Sequence, residues 1–263
     1  MKISVCLITL NEAEALPRCL ESCAALADEL VILDSGSTDA TAVIARQFRA
    51  RWFHQDWLGY VGQKNRLLTL AAHPWVLNLD ADEALSPALQ HEIATLKAHE
   101  PPPDLAGFSV PRCVFYAGQW IRHGDWYPDR LVRLFRRDQA RFTGGKVHER
   151  LEISGPVAPL AGDLEHYSFR DDADLRTRSQ QYARLWAETQ AEAGRTAGPW
   201  DPWLHAAGRW FHGYLLKRGF LDGTAGWQIA RHCASEVWLK YRLLRQGVPP
   251  GKKSSSPGLH SEE

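Results

Sequence analysis

The side chains in this chain best equipped for chemistry are Asp80, Asp82 and Glu83, which follow the apolar run Val76-Leu77-Asn78-Leu79. Two carboxylates one residue apart at the mouth of a buried strand can hold Mg²⁺ or Mn²⁺, with phosphate oxygens and water filling the shell. A cation there would neutralise charge building on a departing diphosphate. The pattern alone is weak, since about one Asp-x-Asp arises by chance in this length. Asp172-Ala-Asp174 is a second copy, read as an ordinary helix start. Three more polar clusters stand upstream. Thr9-Leu10-Asn11-Glu12 reads by itself as a helix cap with acids in the first turn. In Asp34-Ser35-Gly36-Ser37-Thr38-Asp39, Gly36 permits a sharp turn and Ser37 or Thr38 can cap the next helix. Asp34 can accept a hydrogen bond from a uracil N3–H, although a plain polar turn has the same composition. In Lys64-Asn65, Lys64 suits a phosphate and equally a solvated surface.

The elements that must position these clusters follow from hydrophobic periodicity. Residues 3–10, 30–33, 51–53 and 75–79 are predicted strands, and 13–25, 38–48 and 60–72 predicted helices. Such alternation argues for parallel βαβ units, whose ligands bind at the carboxyl ends of the strands. Each cluster falls beside such an end. After Pro101-Pro102-Pro103 the chain turns strand-rich, with candidates at 107–114, 131–135 and 151–153. Asp171-Asp172 can cap a helix running to about Ala193, and helices follow over 203–218 and 224–245. Gly194–Pro202 reads as a linker, and the Gly-, Ser- and Lys-rich tail 247–263 as disordered. The expected division is a domain over 1–170, a helical region over 171–246, and the tail. Within the first domain, 1–100 is the nucleotide-binding half and 101–170 the acceptor half.

Bulk properties exclude several classes. The 263 residues carry 31 basic and 31 acidic side chains, so a globally basic nucleic-acid binder is disfavoured. Five cysteines without a Cys-x-x-Cys pair suit neither a zinc ribbon nor a disulfide framework, and point to reduced thiols in the cytoplasm. The apolar run at residues 3–10 meets Asn11-Glu12 with no small-residue cleavage site, which argues against a signal peptide. No segment reaches the ~18–20 apolar residues of a membrane span.

Taken in order, T-L-N-E, D-S-G-S-T-D, K-N and D-A-D-E, each after its own strand or helix, resemble family 2 glycosyltransferases over about residues 2–90. The resemblance implies the GT-A fold: an α/β, Rossmann-like mixed sheet flanked by helices, here with a C-terminal helical extension. It implies a nucleotide-sugar donor, a divalent cation, and one inverting displacement. It places Thr9, Asn11, Glu12, Asp34, Asp39, Lys64 and Asp80 around the nucleotide, and Asp82 with Asp80 at the metal. His166 is a candidate third metal ligand, because GT-A enzymes often supply a late histidine.

The second half carries Trp126-Tyr127-Pro128-Asp129-Arg130-Leu131-Val132-Arg133-Leu134-Phe135-Arg136-Arg137 and then Gly144-Gly145-Lys146-Val147-His148-Glu149. This looks like the bacterial branch that includes β-1,4-glucosyltransferases of the lipopolysaccharide inner core, whose donor is UDP-glucose and whose acceptor is a core heptose. Arg130 and Arg133 join the nucleotide-binding candidates. Many family members carry Glu-Asp where this chain reads His148-Glu149, and Glu149 is the candidate base, with Asp125 or Asp129 as substitutes. Over 203–246 there are seven Lys/Arg and two Asp/Glu, interleaved with aromatics. These helices read as packing elements, and also as a peripheral contact with an anionic inner-membrane surface on its cytoplasmic face. A polyprenyl-phosphate glycosyltransferase would share the first half but often carries C-terminal membrane spans. A sugar nucleotidyltransferase needs a Gly-rich basic loop after the first strand, and a haloacid-type phosphatase a nucleophilic Asp there; neither is present. A non-catalytic sugar-nucleotide or glycan-binding module is the remaining class.

Overall fold

The structure is a computed structural model and describes residues 1–144, 149–168 and 172–247, with backbone alone for 172–174. Its strands are β1 (Ile3–Thr9), β2 (Glu29–Asp34), β3 (Arg51–His54), β4 (Trp75–Leu79), β5 (Glu83–Leu85), β6 (Gly107–Tyr116), β7 (Gln119–Trp120), β8 (Asp129–Arg136), β9 (Ala140–Gly144), β10 (Glu149–Ile153), β11 (Val157–Pro159) and β12 (Leu164–His166). Its helices are α1 (Leu16–Cys23), α2 (Thr41–Gln47), α3 (Gly59–Leu70), α4 (Pro87–Ala98), α5 (Asp172–Glu192), α6 (Asp201–Phe211) and α7 (Gly223–Gln246).

Strands β3, β2, β1 and β4 lie side by side and parallel, with Thr9 opposite Asp34 and Leu7 opposite Leu79. Both faces of this sheet are covered, as parallel sheets require. Along β1, Val5 and Leu7 enter one apolar cluster with Leu16, Leu20 and Leu77, while Cys6 enters another with Leu67, Val76 and Phe135. Strand β8 then runs antiparallel beside β4, Leu134 opposite Leu77, and β6 antiparallel beside β8. The sheet is therefore mixed. Strand β12 pairs antiparallel with β5, His166 opposite Glu83, and β9 with β10 form a separate hairpin.

Helix α1 buries Leu16, Cys19, Leu20 and Cys23, a spacing that places one face against the sheet. It starts without a side-chain cap, so Thr9-Leu10-Asn11-Glu12 is not its capping sequence. Nor do Ser37 or Thr38 cap α2; Asp39 Oδ1 accepts from Thr41 N–H at 2.9 Å instead. Helix α4 and strands β5, β7, β9, β11 and β12 add to the elements expected from the sequence. Five of the six are strands of two to five residues, and α4 has a conventional start, Ser86 Oγ accepting from Leu89 N–H.

The described residues group into two compact units. The first holds 1–112, 129–144 and 149–166; the second holds 113–128, 167–168 and 172–247. In this grouping residues 113–128 go with the helices, while the change of unit at 166/167 lies close to residue 170. In the second unit, Phe115 on β6 faces Trp120 on β7, and Tyr116, Ile121, Leu175, Ala225, Ile229 and Cys233 form an apolar core. The helix expected over 203–218 divides. Helix α6 ends at Phe211, a π-helical turn spans His212–Leu216, and a 3₁₀ turn spans Gly219–Asp222 before α7. Asp171, Lys146, His148 and the tail 248–263 lie outside the described residues.

Candidate active site

Asp80 leaves the end of β4 in a closed turn. Glu83 N–H donates to the Asp80 carbonyl at 3.0 Å, and Asp80 N–H donates back to Glu83 Oε2 at 3.1 Å. The turn buries Ala81 and Glu83 and leaves the Asp80 and Asp82 side chains 33% and 36% exposed. Arg133 comes from the neighbouring strand β8. Its Nη2 donates to Asp80 Oδ2 at 2.7 Å and to Glu83 Oε1 at 2.5 Å. Lys64, buried on α3, donates to Asp80 Oδ1 at 3.2 Å and to Glu149 Oε1 at 3.1 Å, with its ammonium 5.6 Å from the Phe142 ring centroid.

The electrostatics follow from these contacts. Burial alone would raise the Asp80 carboxyl, but Arg133 and Lys64 hold it well below the usual carboxylate range. Glu83 has less compensation, so burial pushes it up although Arg133 opposes this. Burial disfavours the charged Lys64, yet Asp80 and Glu149 outweigh it and keep the ammonium protonated. Arg133 is likewise raised by Asp80 and Glu83 against burial.

Helix α3 positions the hairpin as well as the lysine. Asn65 Nδ2 donates to the Phe142 carbonyl at 2.8 Å, and Phe142 N–H donates to Asn65 Oδ1 at 3.0 Å. That two-way amide bond fixes β9, whose partner β10 opens with Glu149 opposite Gly144. Lys64-Asn65 therefore brings Glu149 to the Asp80 turn across a wide sequence separation. His166, at the end of β12, places Nε2 3.2 Å from Asp82 Oδ2.

The other candidate residues take several different positions. Among the described residues no three His, Cys, Asp or Glu side chains converge as a metal cage. Asp80 is gripped by two cations, whereas Asp82 and His166 form a pair of their own. Asp34 is buried and its lone pairs are consumed: Oδ1 accepts from Gly36 and Ser37 N–H, both at 2.8 Å, and Oδ2 from Thr9 Oγ1 at 2.9 Å and Ser37 Oγ at 2.5 Å. A carboxylate has about four lone-pair sites, so these four donors hold Asp34 in a fixed orientation at the end of β2. Thr9, as its donor, is held in the same way. Asp39 also works inside the loop, accepting from Thr41 N–H, the Thr41 hydroxyl, and Ala13 N–H. Asn11, at φ 54°, accepts from Thr38 N–H at 2.9 Å through Oδ1, and Glu12 N–H donates to Thr41 Oγ1 at 2.8 Å. These contacts tie the loop after β1 to the loop after β2.

Arg130 is not at this site. It donates to the carbonyls of Ser109 and Leu160, at 3.4 and 3.1 Å. The β8 register slips beside β6 at Arg133, between the pairs Val132–Ser109 and Leu134–Phe108, so simple strand alternation does not relate Arg130 to Arg133. Arg133 is a clamp on two carboxylates. Gln63 was not anticipated as a site member, and Glu83, read as part of the acidic cluster, had no role assigned. Glu83 is the other half of the clamp, and buried Gln63 donates to Ser35 Oγ at 2.6 Å and the Gln55 carbonyl at 3.0 Å. Of the substitute bases, Asp129 is paired with Arg112 at 2.6 Å, and Asp125 lies in the second unit against Arg209.

Comparisons with known proteins fit this geometry. The family model "Glycosyl transferase family 2" matches residues 4–152. The chain is 33% identical to the lipopolysaccharide core biosynthesis glycosyltransferase LpsC of Rhizobium meliloti, covering 92% of this chain and 94% of that protein. It is 27% identical to an uncharacterized glycosyltransferase of Rickettsia felis, covering 95% and 92%. Among solved structures, the mannosyltransferase PcManGT of Pyrobaculum calidifontis, crystallised with GDP-Man and Mn²⁺, gives a TM-score of 0.52 at 15% identity over 92% of this chain and 86% of that one. With the mixed sheet, the acidic turn at the end of β4 and a family match across more than half its length, the chain belongs to glycosyl transferase family 2 and has the GT-A fold.

Proposed function

We propose that the protein is an inverting, metal-dependent glycosyltransferase that moves glucose from UDP-glucose to a lipopolysaccharide-core or other cell-envelope glycan, working at the cytoplasmic face of an anionic membrane. The observation that carries the reading is the Lys64 ammonium, 3.2 Å from Asp80 and 3.1 Å from Glu149. It joins the acidic turn and the candidate base in one site. A single displacement needs that pairing: a carboxylate on the acceptor side and cationic support on the diphosphate side.

Glu149 takes the acceptor hydroxyl proton as the new O–C1 bond forms and the C1–O bond to the diphosphate breaks. Lys64 holds Glu149 in place and faces the developing negative charge. Arg133 and Lys64 keep Asp80 ionised and fixed. The Asp82 carboxylate and the His166 imidazole, 3.2 Å apart, would hold a divalent cation, for which carboxylate and imidazole are suitable donors. When bound, that cation supplies charge neutralisation to the leaving nucleoside diphosphate. The similarity to LpsC supports a lipopolysaccharide-core acceptor. The GDP-Man complex of the Pyrobaculum enzyme makes the base of the nucleotide the first thing to test.

The test is a panel of radiolabelled UDP- and GDP-sugars with core-oligosaccharide acceptor, with Mn²⁺ or with excess chelator. Transfer from UDP-glucose, lost in chelator and in Asp82→Ala, is expected. Full activity in chelator removes the metal from the reading, and turnover with GDP-sugars alone removes the uridine donor.

A further inference from the structure

The second unit carries an apolar surface that the transfer chemistry does not use. From Phe211 to Leu221 the chain forms the π-helical turn, the Lys217-Arg218 corner and the 3₁₀ turn between α6 and α7. Phe211, Leu215, Leu216, Phe220 and Leu221 are all exposed, Leu216 by 64% and Leu221 by 55%. Trp203 and Leu204, on α6, extend the same exposure. Contiguous apolar surface of this kind marks an interaction site.

This tip is held out by its own framework. Gly213, Gly219 and Gly226 bring backbone against backbone; a Cβ on Gly226 would sit 1.8 Å from the Gly219 carbonyl oxygen. Asp222 pins the base of the tip, accepting from Arg122 and His123 N–H at 3.1 and 2.8 Å and pairing with His123 Nδ1 at 2.8 Å. The leucines therefore have no room to turn inward.

Charge decides the occupant. Residues 202–221 contain Arg209, Lys217 and Arg218 and not one Asp or Glu. Of the nearby acids, Asp222 is buried against His123, and buried Asp125 pairs with Arg209 at 3.0 Å and lies 3.9 Å from Lys217, so three cations stand against one acid and the segment keeps an excess of positive charge. A second copy docking by this face would oppose cation to cation, which interfaces disfavour. The tail 248–263 offers only Val248 and Leu259 as large aliphatic residues, too few to cover the patch. An anionic bilayer surface matches both halves of the pattern. Among the described residues no helix is long and apolar enough to cross a membrane, so attachment through this tip is interfacial.

We propose that Phe211–Leu221 docks on an anionic lipid bilayer, its leucines and phenylalanines entering the acyl boundary while Lys217 and Arg218 meet headgroup phosphates. The proposal rests on the reading of the protein as a transferase to an envelope glycan, for which it supplies the route to a lipid-borne acceptor. The experiment is co-sedimentation of the full chain with phosphatidylcholine vesicles, with and without 30% phosphatidylglycerol, at rising salt. Wild type should bind the anionic vesicles at least about tenfold more tightly than the neutral ones, and release as salt screens the surface. Leu216→Asn with Leu221→Asn should lower anionic binding by about tenfold or more. Arg218→Glu should lower it by at least ~3-fold through charge alone. Hydrolysis of nucleotide sugar, followed by release of nucleoside diphosphate, should be unchanged in both variants, so a failed docking and a failed transferase reading give different results. Binding of wild type equal on both vesicles, or none at low salt, overturns the proposal. So does wild-type self-association in solution that the leucine variant abolishes without any change in vesicle binding.

Discussion

Arg133 shows how one buried side chain can set the state of an acidic site. Its guanidinium joins Asp80 and Glu83, and its own side chain is 8% exposed. Removing one partner of such a cluster strands the remaining charges, which is costlier than the net value of the pair. Arg133→Met should therefore lower unfolding free energy by about 3–5 kcal/mol in urea titration. Glu83→Gln keeps an acceptor for Arg133 and removes a carboxyl that burial already pushes up, so it should cost under about 1.5 kcal/mol. Equal losses would mean that packing, not charge, holds the turn. Glu149→Gln asks about chemistry instead: turnover should fall by ~10²–10⁴-fold with donor affinity nearly unchanged, in steady-state and binding assays. A fall of less than about tenfold would move the base elsewhere. Residue types in the four clusters were legible in the sequence, and so was their order. What was not legible is which lone pairs stay free. Asp34 closes β2 and Asp82 sits in the turn before β5, yet the first accepts from Gly36, Ser37 and Thr9 while the second faces His166.

At the scale of elements, strands β1, β2 and β4 were legible as apolar runs because the sheet buries them on both faces, whereas β3 is the partly exposed edge strand. The short pieces β5 and β12 were not legible, since three residues carry no period and their pairing joins Glu83 to His166 across 83 positions. Helix ends near α6 also escaped, because the π turn and the Arg218 corner at φ 56° come from close glycine packing, which no single-residue propensity encodes. That packing makes opposite forecasts for two helical glycines. On α6, a Cβ at Gly208 meets nothing within 4 Å, so Gly208→Ala should stabilise by about 0.5–1 kcal/mol. On α7, Gly226→Ala drives a methyl into the Gly219 carbonyl and should cost at least about 2 kcal/mol, as overpacking against backbone does. Thermal melts of both variants decide it; a neutral Gly226→Ala would mean that α7 can shift away from the 3₁₀ turn. Asp28 ties three elements together, taking Ile3 N–H at 2.8 Å, Lys2 at 2.9 Å and Lys97 of α4 at 2.8 Å. Burial opposes its charge, but Lys97, Ile3 N–H and Lys2 hold the carboxyl far below its ordinary range. A depressed folded pKa gives stability that is present above about pH 4, the unfolded value, and is lost as pH falls toward the folded one. The stability gap between wild type and Asp28→Asn should therefore be widest near neutrality and shrink steadily below pH 4 in urea titrations.

The cysteines report on the molecule as a whole. All five are free and buried, Cys6, Cys19 and Cys23 in the sheet unit and Cys113 and Cys233 in the helical one. Their odd count and spacing pointed away from disulfides and metal ribbons, and their burial gives the physical counterpart: they pack as small apolar side chains. Burial also raises the thiols of Cys6 and Cys233, the latter up to about 11, which leaves on the order of one Cys233 thiol in a thousand ionised at pH 8. Reaction with an aromatic disulfide reagent must therefore wait for the chain to open. With a domain's usual stability of about 5–15 kcal/mol, opening-limited labelling should be slower than in the unfolded chain by at least ~10³-fold. In 6 M guanidinium all five should react at once. Two variants then localise the opening, one keeping only Cys19 and the other only Cys233. Each should stay protected in buffer, and each should lose protection at the denaturant concentration that opens its own unit. Prompt labelling of Cys233 alone in buffer would show that the helical unit opens where the sheet does not, and that the glycine-packed base of the exposed tip is not rigid.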